Sequence, residues 1–188
     1  MNLFTADLHL GHKNCILFDH RPFSDVDEMD EFIISMWNGR VYDGDDVWVL
    51  GDFTYRSKKS PASYLARLKG RKHLIIGNHD YRMLKDKEAM GMWESVDHIK
   101  KLHDPKYGDI ILCHYPIADW EGMYHGSWHL FGHIHKSKSP CSEYMDRQDR
   151  AINAGCMLYS YAPMSMRELI EKKQEALGIP PELRDSYE

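Results

Sequence analysis

The chain has 188 residues, of which 43% are apolar and 28% charged, a composition typical of one compact globular domain. A net charge of -5 disfavours an extended nucleic-acid interface, because that kind of interface needs a basic face. No apolar stretch reaches the roughly 18 residues of a membrane helix, and the start, MNLFTADLH, has no cationic leader. We therefore expect a cytoplasmic protein that binds neither a membrane nor long nucleic acid.

Four cysteines are scattered along the sequence without a C-x-x-C pair: Cys15, Cys113, Cys141 and Cys156. We interpret them as reduced thiols, with Cys113 and Cys156 buried, in preference to thiolate metal ligands. No repeat or linker divides the sequence. Residues 1–179 are therefore expected to form a single domain, and residues 180–188 a loose C-terminal tail.

Strands and helices alternate in the first half of the sequence. Apolar runs predict buried strands at Leu3–Ala6, Val47–Leu50 and His73–Ile76. Between the first two, Ser24 and Asp25 are suitable N-caps for a helix. The inward face of that helix should hold the apolar residues spaced three and four apart, which are Met29, Phe32, Ile33, Met36 and Trp37.

Two further helices are marked by capping residues. Ser60 and Pro61 begin one that ends at Gly70, and Ser165 forms a capping box with Glu168 at the start of the other. Their inward residues should be Tyr64, Leu65 and Leu68 in the first, and Leu169, Ile170 and Leu177 in the second.

In the second half of the sequence, we predict a hairpin followed by two more strands. Asp97–Leu102 and Asp109–Cys113 should pair antiparallel around a turn at Asp104 and Pro105. Apolar runs predict strands at Ile110–Cys113, Trp128–Phe131 and Ala151–Ala154. Alternating elements followed by a hairpin indicate an α/β fold with mixed strand directions.

Five of these strands end in residues that bind metals or protons. The motifs are DLH from Asp7, GD from Gly51, GNHD from Gly77, a lone His114 and GHIH from Gly132. In a layered α/β fold such strand ends meet at one edge, where loops converge on a shared pocket. Residues two apart in extended backbone point the same way, so DLH and GHIH each offer two ligands to one site.

The ligand types indicate which ions such a site would hold. Asp, Asn and His without sulfur favour manganese, iron, nickel or zinc over a structural zinc thiolate site, and manganese is our first choice. The seven candidate ligands are Asp7, His9, Asp52, Asn78, His114, His133 and His135. One tetrahedral ion cannot use seven ligands, so we expect two divalent ions about 3.5 to 4 Å apart.

The ordered set D-x-H, G-D, G-N-H-D, H and G-H-x-H resembles the calcineurin-like metallophosphoesterases, particularly their small single-domain bacterial and phage members. It spans Asp7 to His135, and NAG at Asn153 with PMS at Pro163 resembles the closing strand and helix of that family. The resemblance implies a four-layer α/β/β/α sandwich, with two mixed sheets between helices and a dinuclear metal site at the strand ends.

The resemblance also implies a role for each motif residue. The first ion would be bound by Asp7, His9 and His135, the second by Asn78, His114 and His133, and Asp52 would bridge both. His79 matches the catalytic histidine of the family, which donates a proton to the leaving group or stabilises its negative charge. A bridging water or hydroxide, with its pKa lowered by the two ions, would attack phosphorus.

One motif departs from the pattern of related phosphatases, which reads G-D-x-x-D-R. Here the sequence is GDFTYR, so Arg56 matches the phosphate-holding arginine but Tyr55 replaces the aspartate that orients the catalytic histidine. Asp80 is the carboxylate considered as a substitute partner. Residues expected to contact substrate phosphate are Arg56, His12 and Arg21. The histidines interpreted as structural or surface residues are His20, His73, His98, His103, His125 and His129.

The sequence therefore predicts a metal-dependent phosphoesterase that hydrolyses a small phosphomonoester or phosphodiester, such as a nucleotide. One alternative is a non-catalytic scaffold of the same fold that binds a protein partner, which is disfavoured because every ligand position and His79 are filled. The other is a metal-dependent oxidoreductase, which is disfavoured because hydrolysis by a bridging water accounts for all seven ligands.

Overall fold

The computed structural model describes residues 1–181, in which two β-sheets pack face to face between layers of helices. The described strands are β1 (Asn2–Thr5), β2 (Asp46–Val49), β3 (Arg71–Ile75), β4 (Ser95–Asp97), β5 (Ile99–Asp104), β6 (Gly108–Cys113), β7 (Trp128–Phe131), β8 (Ala151–Asn153) and β9 (Met164–Ser165). One sheet has the order β4-β3-β2-β1-β9 and the other β5-β6-β7-β8. Both are mixed, because β9 and β5 run antiparallel to their neighbours.

The helices that cover the sheets are α1 (Lys13–Phe18), α2 (Val26–Asn38), α3 (Pro61–Leu65), α4 (Lys87–Met90), α5 (Pro140–Asp146) and α6 (Met166–Ala176). Short 3₁₀ helices occupy Asp80–Lys85, Met123–His125 and Cys156–Leu158. Within residues 1–181, none of the helices is long and apolar enough to cross a membrane.

Alternation along the strands divides the core into layers. Leu3 faces the apolar layer beneath α2, α3 and α4, whereas its neighbour Phe4 faces the second sheet. In the second sheet Leu112 faces inward, and Ile111 points outward to the layer that contains Met145 of α5. Since adjacent residues of a strand point to opposite faces, this pattern gives the order helix, sheet, sheet, helix. The predicted four-layer α/β/β/α fold with two mixed sheets is confirmed.

The predicted helix caps occur where the sequence placed them. Asp25 accepts a hydrogen bond from the backbone N–H of Glu28, and Ser60 accepts one from that of Ser63. Ser165 forms the predicted capping box at the start of α6. The four cysteines are free thiols, and Cys113 and Cys156 are buried as expected. Of the predicted C-terminal tail, residues 182–188 lie outside the described residues.

Four details of the predicted elements are wrong. The sequence predicts that the helix after Ser60 ends at Gly70, but α3 ends at Leu65, because the backbone then tightens into turns with i→i+3 hydrogen bonds. Phe32 is 41% exposed, because it lies at the margin of α2 against Phe23 and Tyr161, and Ile34 is buried in its place. Leu177 is 39% exposed, since it is the C-cap that follows the last turn of α6. The run Asp97–Leu102 is not one strand. Its first residue ends β4 in the first sheet, and β5 begins at Ile99 in the second, so the chain crosses between sheets there.

Candidate metal centre

The predicted ligands lie on strained backbone where the strands end. Nine non-glycine residues of the described chain have positive φ, and five of them are candidate ligands: Asp7 (φ 56°), His9 (51°), Asp52 (57°), His133 (69°) and His135 (49°). L-residues rarely adopt this region, and each such residue costs about 1–3 kcal/mol. Strain of this kind is typical of functional sites, where it aims side chains that a relaxed strand would direct elsewhere.

Two motif glycines permit the close approach of these loops. A Cβ on Gly77 would lie 2.5 Å from Oδ1 of Asp52, and one on Gly132 would lie 2.8 Å from Oδ2 of Asp7. Any side chain at either position would therefore push a carboxylate out of the centre. This explains in physical terms why a glycine precedes Asn78 and His133.

Four of the predicted ligands form one tight cluster: Asp7, His9, Asp52 and His135. One ligand atom of each lies within 4.8 Å of the others. Nε2 of His9 is 3.2 Å from Nε2 of His135 and 3.6 Å from Oδ2 of Asp52, and Nε2 of His135 is 3.6 Å from Oδ1 of Asp7. This spacing is that of donors around a single cation.

The other three predicted ligands, Asn78, His114 and His133, form a second group beside Asp52. Nε2 of His114 is 3.6 Å from Oδ2 of Asp52 and 3.0 Å from Oδ1 of Asn78. The ring of His133 lies 5.1 Å from that of His114, centroid to centroid. A single oxygen of Asp52, Oδ2, thus lies 3.6 Å from a nitrogen of each group. The bridging role that the family resemblance implies for Asp52 stays a prediction.

The protonation of His114 shows why a cation fits here. Its Nδ1 is 2.8 Å from the carbonyl oxygen of Leu50, which only accepts, so Nδ1 carries the proton. Burial lowers the pKa of His114, which keeps the ring neutral and leaves a lone pair on Nε2. That lone pair faces the oxygens of Asn78 and Asp52, which are also acceptors. Converging lone pairs repel unless a cation lies between them, so this donor set fits a divalent metal.

His135 is oriented by a carboxylate that the sequence analysis missed. Its Nδ1 lies 2.6 Å from Oδ1 of Asp19, so Nε2 points at His9 and Asp7. Burial alone would lower the pKa of His135, but the hydrogen bond to Asp19 and the nearby Asp7 carboxylate outweigh it, and the pKa is raised. A carboxylate behind a metal-binding histidine fixes both its tautomer and its direction.

Arg21 holds Asp19 in place and does not reach a substrate. It is only 4% exposed, and its guanidinium donates to the backbone carbonyls of Leu8 and Asp7 at 2.9 and 2.8 Å. Its Nε also donates to Oδ2 of Asp19 at 3.0 Å. The expectation that Arg21 contacts substrate phosphate is therefore wrong, because every direction of its planar fork is used beneath the metal centre.

Burial shifts the pKa values of two residues in the first cluster. It raises the pKa of Asp7 to about 7 and lowers that of His9 well below its ordinary value. Both oxygens of the Asp7 carboxylate accept the backbone N–H of His133, at 3.1 and 3.0 Å, and this contact joins the loop after β1 to the loop after β7. A site that holds protons on its carboxylate near neutral pH releases them when a metal binds.

His79 lies beside the cluster and packs against the tyrosine that replaces the family aspartate. Its Nε2 is 4.0 Å from Oδ2 of Asp52, and its backbone N–H donates to Oδ1 of the same residue at 2.8 Å. The rings of His79 and Tyr55 lie 3.9 Å apart, and Cζ of Arg56 lies 5.2 Å from the Tyr55 ring. The Tyr55 ring thus packs against His79 at the position where related phosphatases have an aspartate.

Asp80 is a structural clamp and not the partner of His79. It is fully buried, and its carboxylate accepts the backbone N–H groups of Asp52, Phe53 and Gly77 at 2.8, 3.0 and 2.8 Å. The idea that Asp80 substitutes for the missing aspartate is therefore wrong. Both oxygens are used in joining the GD loop to the GNHD loop, which fixes Asp52 relative to Asn78 and His79.

His12 and Arg56 lie at the mouth of the site. With His9, His79 and His135 they line a cavity of about 300 Å³. His12 is 9% exposed, its ring lies 4.8 Å from that of Tyr55, and its buried Nδ1 makes no hydrogen bond within residues 1–181. The side chains of His12 and Arg56 therefore border the space beside His9, His79 and His135. Their predicted contact with substrate remains a prediction that this placement favours.

Two more residues support the loops of the site: Asn153, which belongs to the NAG motif, and His129. Asn153 donates from Nδ2 to the carbonyl oxygen of His135 at 2.9 Å, and Nε2 of His129 accepts the backbone N–H of Ile117 at 3.0 Å, in the loop after His114. His129 and His73 are buried, which agrees with their interpretation as structural histidines.

Comparison with known proteins agrees with the geometry. A family profile described as calcineurin-like phosphoesterase matches residues 3–107. The chain is 30% identical to the gene 66 protein of Mycobacterium phage L5, over 94% of this chain and 84% of that protein, and 30% identical to an uncharacterised protein of Methanocaldococcus jannaschii, over 89% of each. A solved structure, a protein of unknown function from Aquifex aeolicus, is similar with a TM-score of 0.72 and 26% identity, over 92% of this chain and 98% of that one. The chain belongs to the calcineurin-like phosphoesterase family.

Proposed function

We propose that the protein is a metal-dependent hydrolase of a small phosphomonoester or phosphodiester, such as a nucleotide. The observation that supports this most directly is that Oδ2 of Asp52 lies 3.6 Å from Nε2 of His9, in one group of candidate ligands, and 3.6 Å from Nε2 of His114, in the other. Two groups of candidate ligands that meet at one carboxylate oxygen suit two adjacent divalent ions.

The proposed cofactor is a pair of divalent ions, with manganese favoured and iron, nickel or zinc as the other candidates. Asp7, His9 and His135 would hold one ion, and Asn78, His114 and His133 the other, with Asp52 between them. When bound, the ions supply charge neutralisation at the phosphoryl group and lower the pKa of an attacking water.

The proposed role of His79 is to assist departure of the leaving group. Its ring lies at the edge of the centre, with Nε2 4.0 Å from Asp52 and 31% of the side chain exposed to the cavity. A proton on Nε2 would be donated to the departing oxygen or would stabilise its charge. Tyr55 keeps the ring in this orientation, and Arg56 and His12 hold the phosphate charge.

The test is hydrolysis of p-nitrophenyl phosphate and bis(p-nitrophenyl) phosphate with added Mn2+, before and after chelation. We expect metal-dependent turnover that chelation removes and Mn2+ restores. Turnover of the diester alone would identify a phosphodiesterase, and turnover of the monoester alone a phosphomonoesterase. Failure to hydrolyse either compound, with metal content verified, would contradict the proposal.

A further inference from the structure

A groove opens from the candidate active site on the side of His79. It encloses about 710 Å³, and its described lining carries a single carboxylate, that of Asp86. Five cationic side chains line the same groove: Arg56, Lys58, Lys59, Arg82 and Lys85. We call this surface the basic groove. Such a concentration of positive charge is unusual in a chain whose net charge is -5.

Most of this positive charge is unneutralised. Lys59 forms an ion pair with Asp27 at 2.7 Å, but the other four cations make no ion pair with any carboxylate of residues 1–181. The carboxylate of Asp86 is the N-cap of α4, where it accepts the backbone N–H groups of Glu88 and Ala89. Like charges brought together without counterions repel, so this arrangement favours a surface that meets an anion.

The basic groove and the metal centre share His79. Two segments supply the cations, the loop that begins at Arg56 and the 3₁₀ helix Asp80–Lys85 that directly follows His79. Tyr55, Arg56 and His79 also line the smaller cavity that contains His9 and His135. A phosphoryl group held at the centre with its leaving group toward His79 would therefore place that leaving group in the basic groove.

We propose that the basic groove binds a leaving group that itself carries one or more phosphates, so that the substrate is a small, multiply phosphorylated ester such as a nucleoside bisphosphate. This inference rests on the proposed function and specifies its substrate class. The groove volume lies within the range of about 300–1,000 Å³ for small-ligand sites. A long nucleic-acid strand is disfavoured because beyond the groove it would meet the acidic remainder of the chain.

The first test measures binding without metal or turnover. Inorganic triphosphate is titrated into the chelator-treated protein by calorimetry at low ionic strength. We expect the double variant Arg82→Ser, Lys85→Ser to bind triphosphate about 10-fold more weakly than the wild type. The matched control is Lys106→Ser, which removes an exposed cation from the turn between β5 and β6, at the end of β6 opposite to His114. We expect this variant to bind triphosphate like the wild type. Equal affinity of the double variant and the wild type would overturn the proposal.

The second test compares two substrates that differ by one phosphate on the leaving group, adenosine 3′,5′-bisphosphate and adenosine 3′-monophosphate. For the wild type, we expect kcat/KM for release of the 3′-phosphate to be about 10-fold higher with the bisphosphate than with the monophosphate. We expect the double variant Arg82→Ser, Lys85→Ser to lose most of this preference. If only diesters are cleaved, the pair is the dinucleotide ApA with and without a 3′-phosphate. An unchanged preference in the double variant would overturn the proposal.

The two tests separate failure of this inference from failure of the proposed function. Triphosphate binding that depends on Arg82 and Lys85, in a protein that hydrolyses no ester, would overturn the proposed function and with it the leaving-group assignment. If the protein hydrolyses p-nitrophenyl esters but the double variant binds triphosphate as tightly as the wild type, this inference alone is overturned. If a single-stranded 20-nucleotide DNA binds more tightly than triphosphate and the binding depends on the same two residues, the ligand of the basic groove is nucleic acid and the proposal of a small substrate is overturned.

Discussion

Asp19 lies 2.6 Å from Nδ1 of His135, a residue 116 positions further along the chain, and Arg21 holds the carboxylate there. This chain of contacts joins the segment after α1 to the last ligand of the metal centre. Because Nδ1 is fixed by Asp19, Nε2 of His135 has a single direction in which to offer its lone pair. The candidate metal centre is therefore shaped by two residues, Asp19 and Arg21, that are not themselves candidate ligands.

Replacing Asp19 should weaken metal binding without unfolding the protein. We expect Asp19→Ala to lower Mn2+ affinity roughly 10- to 100-fold, because His135 loses its orienting partner. Asp19→Asn keeps an acceptor but loses the charge, so its affinity should lie between those of Asp19→Ala and the wild type. Equilibrium dialysis measures the affinities, and Asp43→Ala, an exposed residue before β2, is the control. Wild-type affinity in Asp19→Ala would show that His135 needs no partner.

Asp52 should be indispensable to the metal centre as a whole. Its Oδ2 lies 3.6 Å from Nε2 of His9 and 3.6 Å from Nε2 of His114. We expect Asp52→Asn to lower both metal content and turnover by at least about 100-fold, since a neutral amide replaces the charged carboxylate that faces both groups of candidate ligands. Metal analysis together with hydrolysis of p-nitrophenyl esters measures the effect. Full turnover in this variant would exclude Asp52 as a bridging ligand.

His79 should affect the reaction and leave the metals in place. We expect His79→Ala to retain wild-type metal content and to slow hydrolysis by roughly 100-fold or more. Tyr55→Phe is the matched control, because it keeps the ring that packs 3.9 Å from His79 and should retain most of the activity. Loss of metal from His79→Ala would instead make His79 a ligand.

The residues that meet at the candidate metal centre could be located from the sequence because their signal is local. A motif such as GNHD shows within four letters that a strand ends, that a glycine allows a close approach and that an amide and an imidazole follow. The same reasoning predicted the buried strands and the capped helices, since periodicity and caps depend on neighbours in the chain.

The supporting contacts could not be predicted because they join distant parts of the chain. Arg21 follows the first motif closely, but only the structure shows that its guanidinium points beneath the site, to the carbonyls of Leu8 and Asp7. Asp80 is adjacent to His79 in sequence, yet its carboxylate accepts three backbone N–H groups and makes no hydrogen bond to His79 within residues 1–181. Side-chain direction at the end of a strand depends on the loops that converge there.

Metal binding should release protons near neutral pH. Burial raises the pKa of Asp7 to about 7, so at pH 6 most metal-free molecules carry a proton on this carboxylate. A bound cation needs the carboxylate form, so binding at pH 6 should expel that proton, and the release should decline as the pH rises above 7. Calorimetric titration of Mn2+ in buffers of different ionisation enthalpy counts the protons. Equal heats in all buffers at pH 6 would contradict the raised pKa.

Acid should weaken the metal-free fold partly through His129. Its Nδ1 donates to the carbonyl oxygen of Ile111, its Nε2 accepts the N–H of Ile117, and burial lowers its pKa from 6.5 to about 4. Between those two values the unfolded chain binds a proton that the folded chain does not, so stability is lost as the pH falls from 6.5 toward 4. From pH 7 to pH 5 this group should remove ~2 kcal/mol from the free energy of unfolding.

The variant that tests this is His129→Gln, studied by urea unfolding of the chelator-treated protein at pH 7 and pH 5. We expect it to be less stable than the wild type at pH 7, because the buried contacts of the ring are lost. Its stability should nevertheless depend less on pH, since the titrating group is gone. His98→Gln, which removes an exposed imidazole, should keep the wild-type pH dependence. If His129→Gln loses as much stability as the wild type between pH 7 and pH 5, another group carries the acid sensitivity.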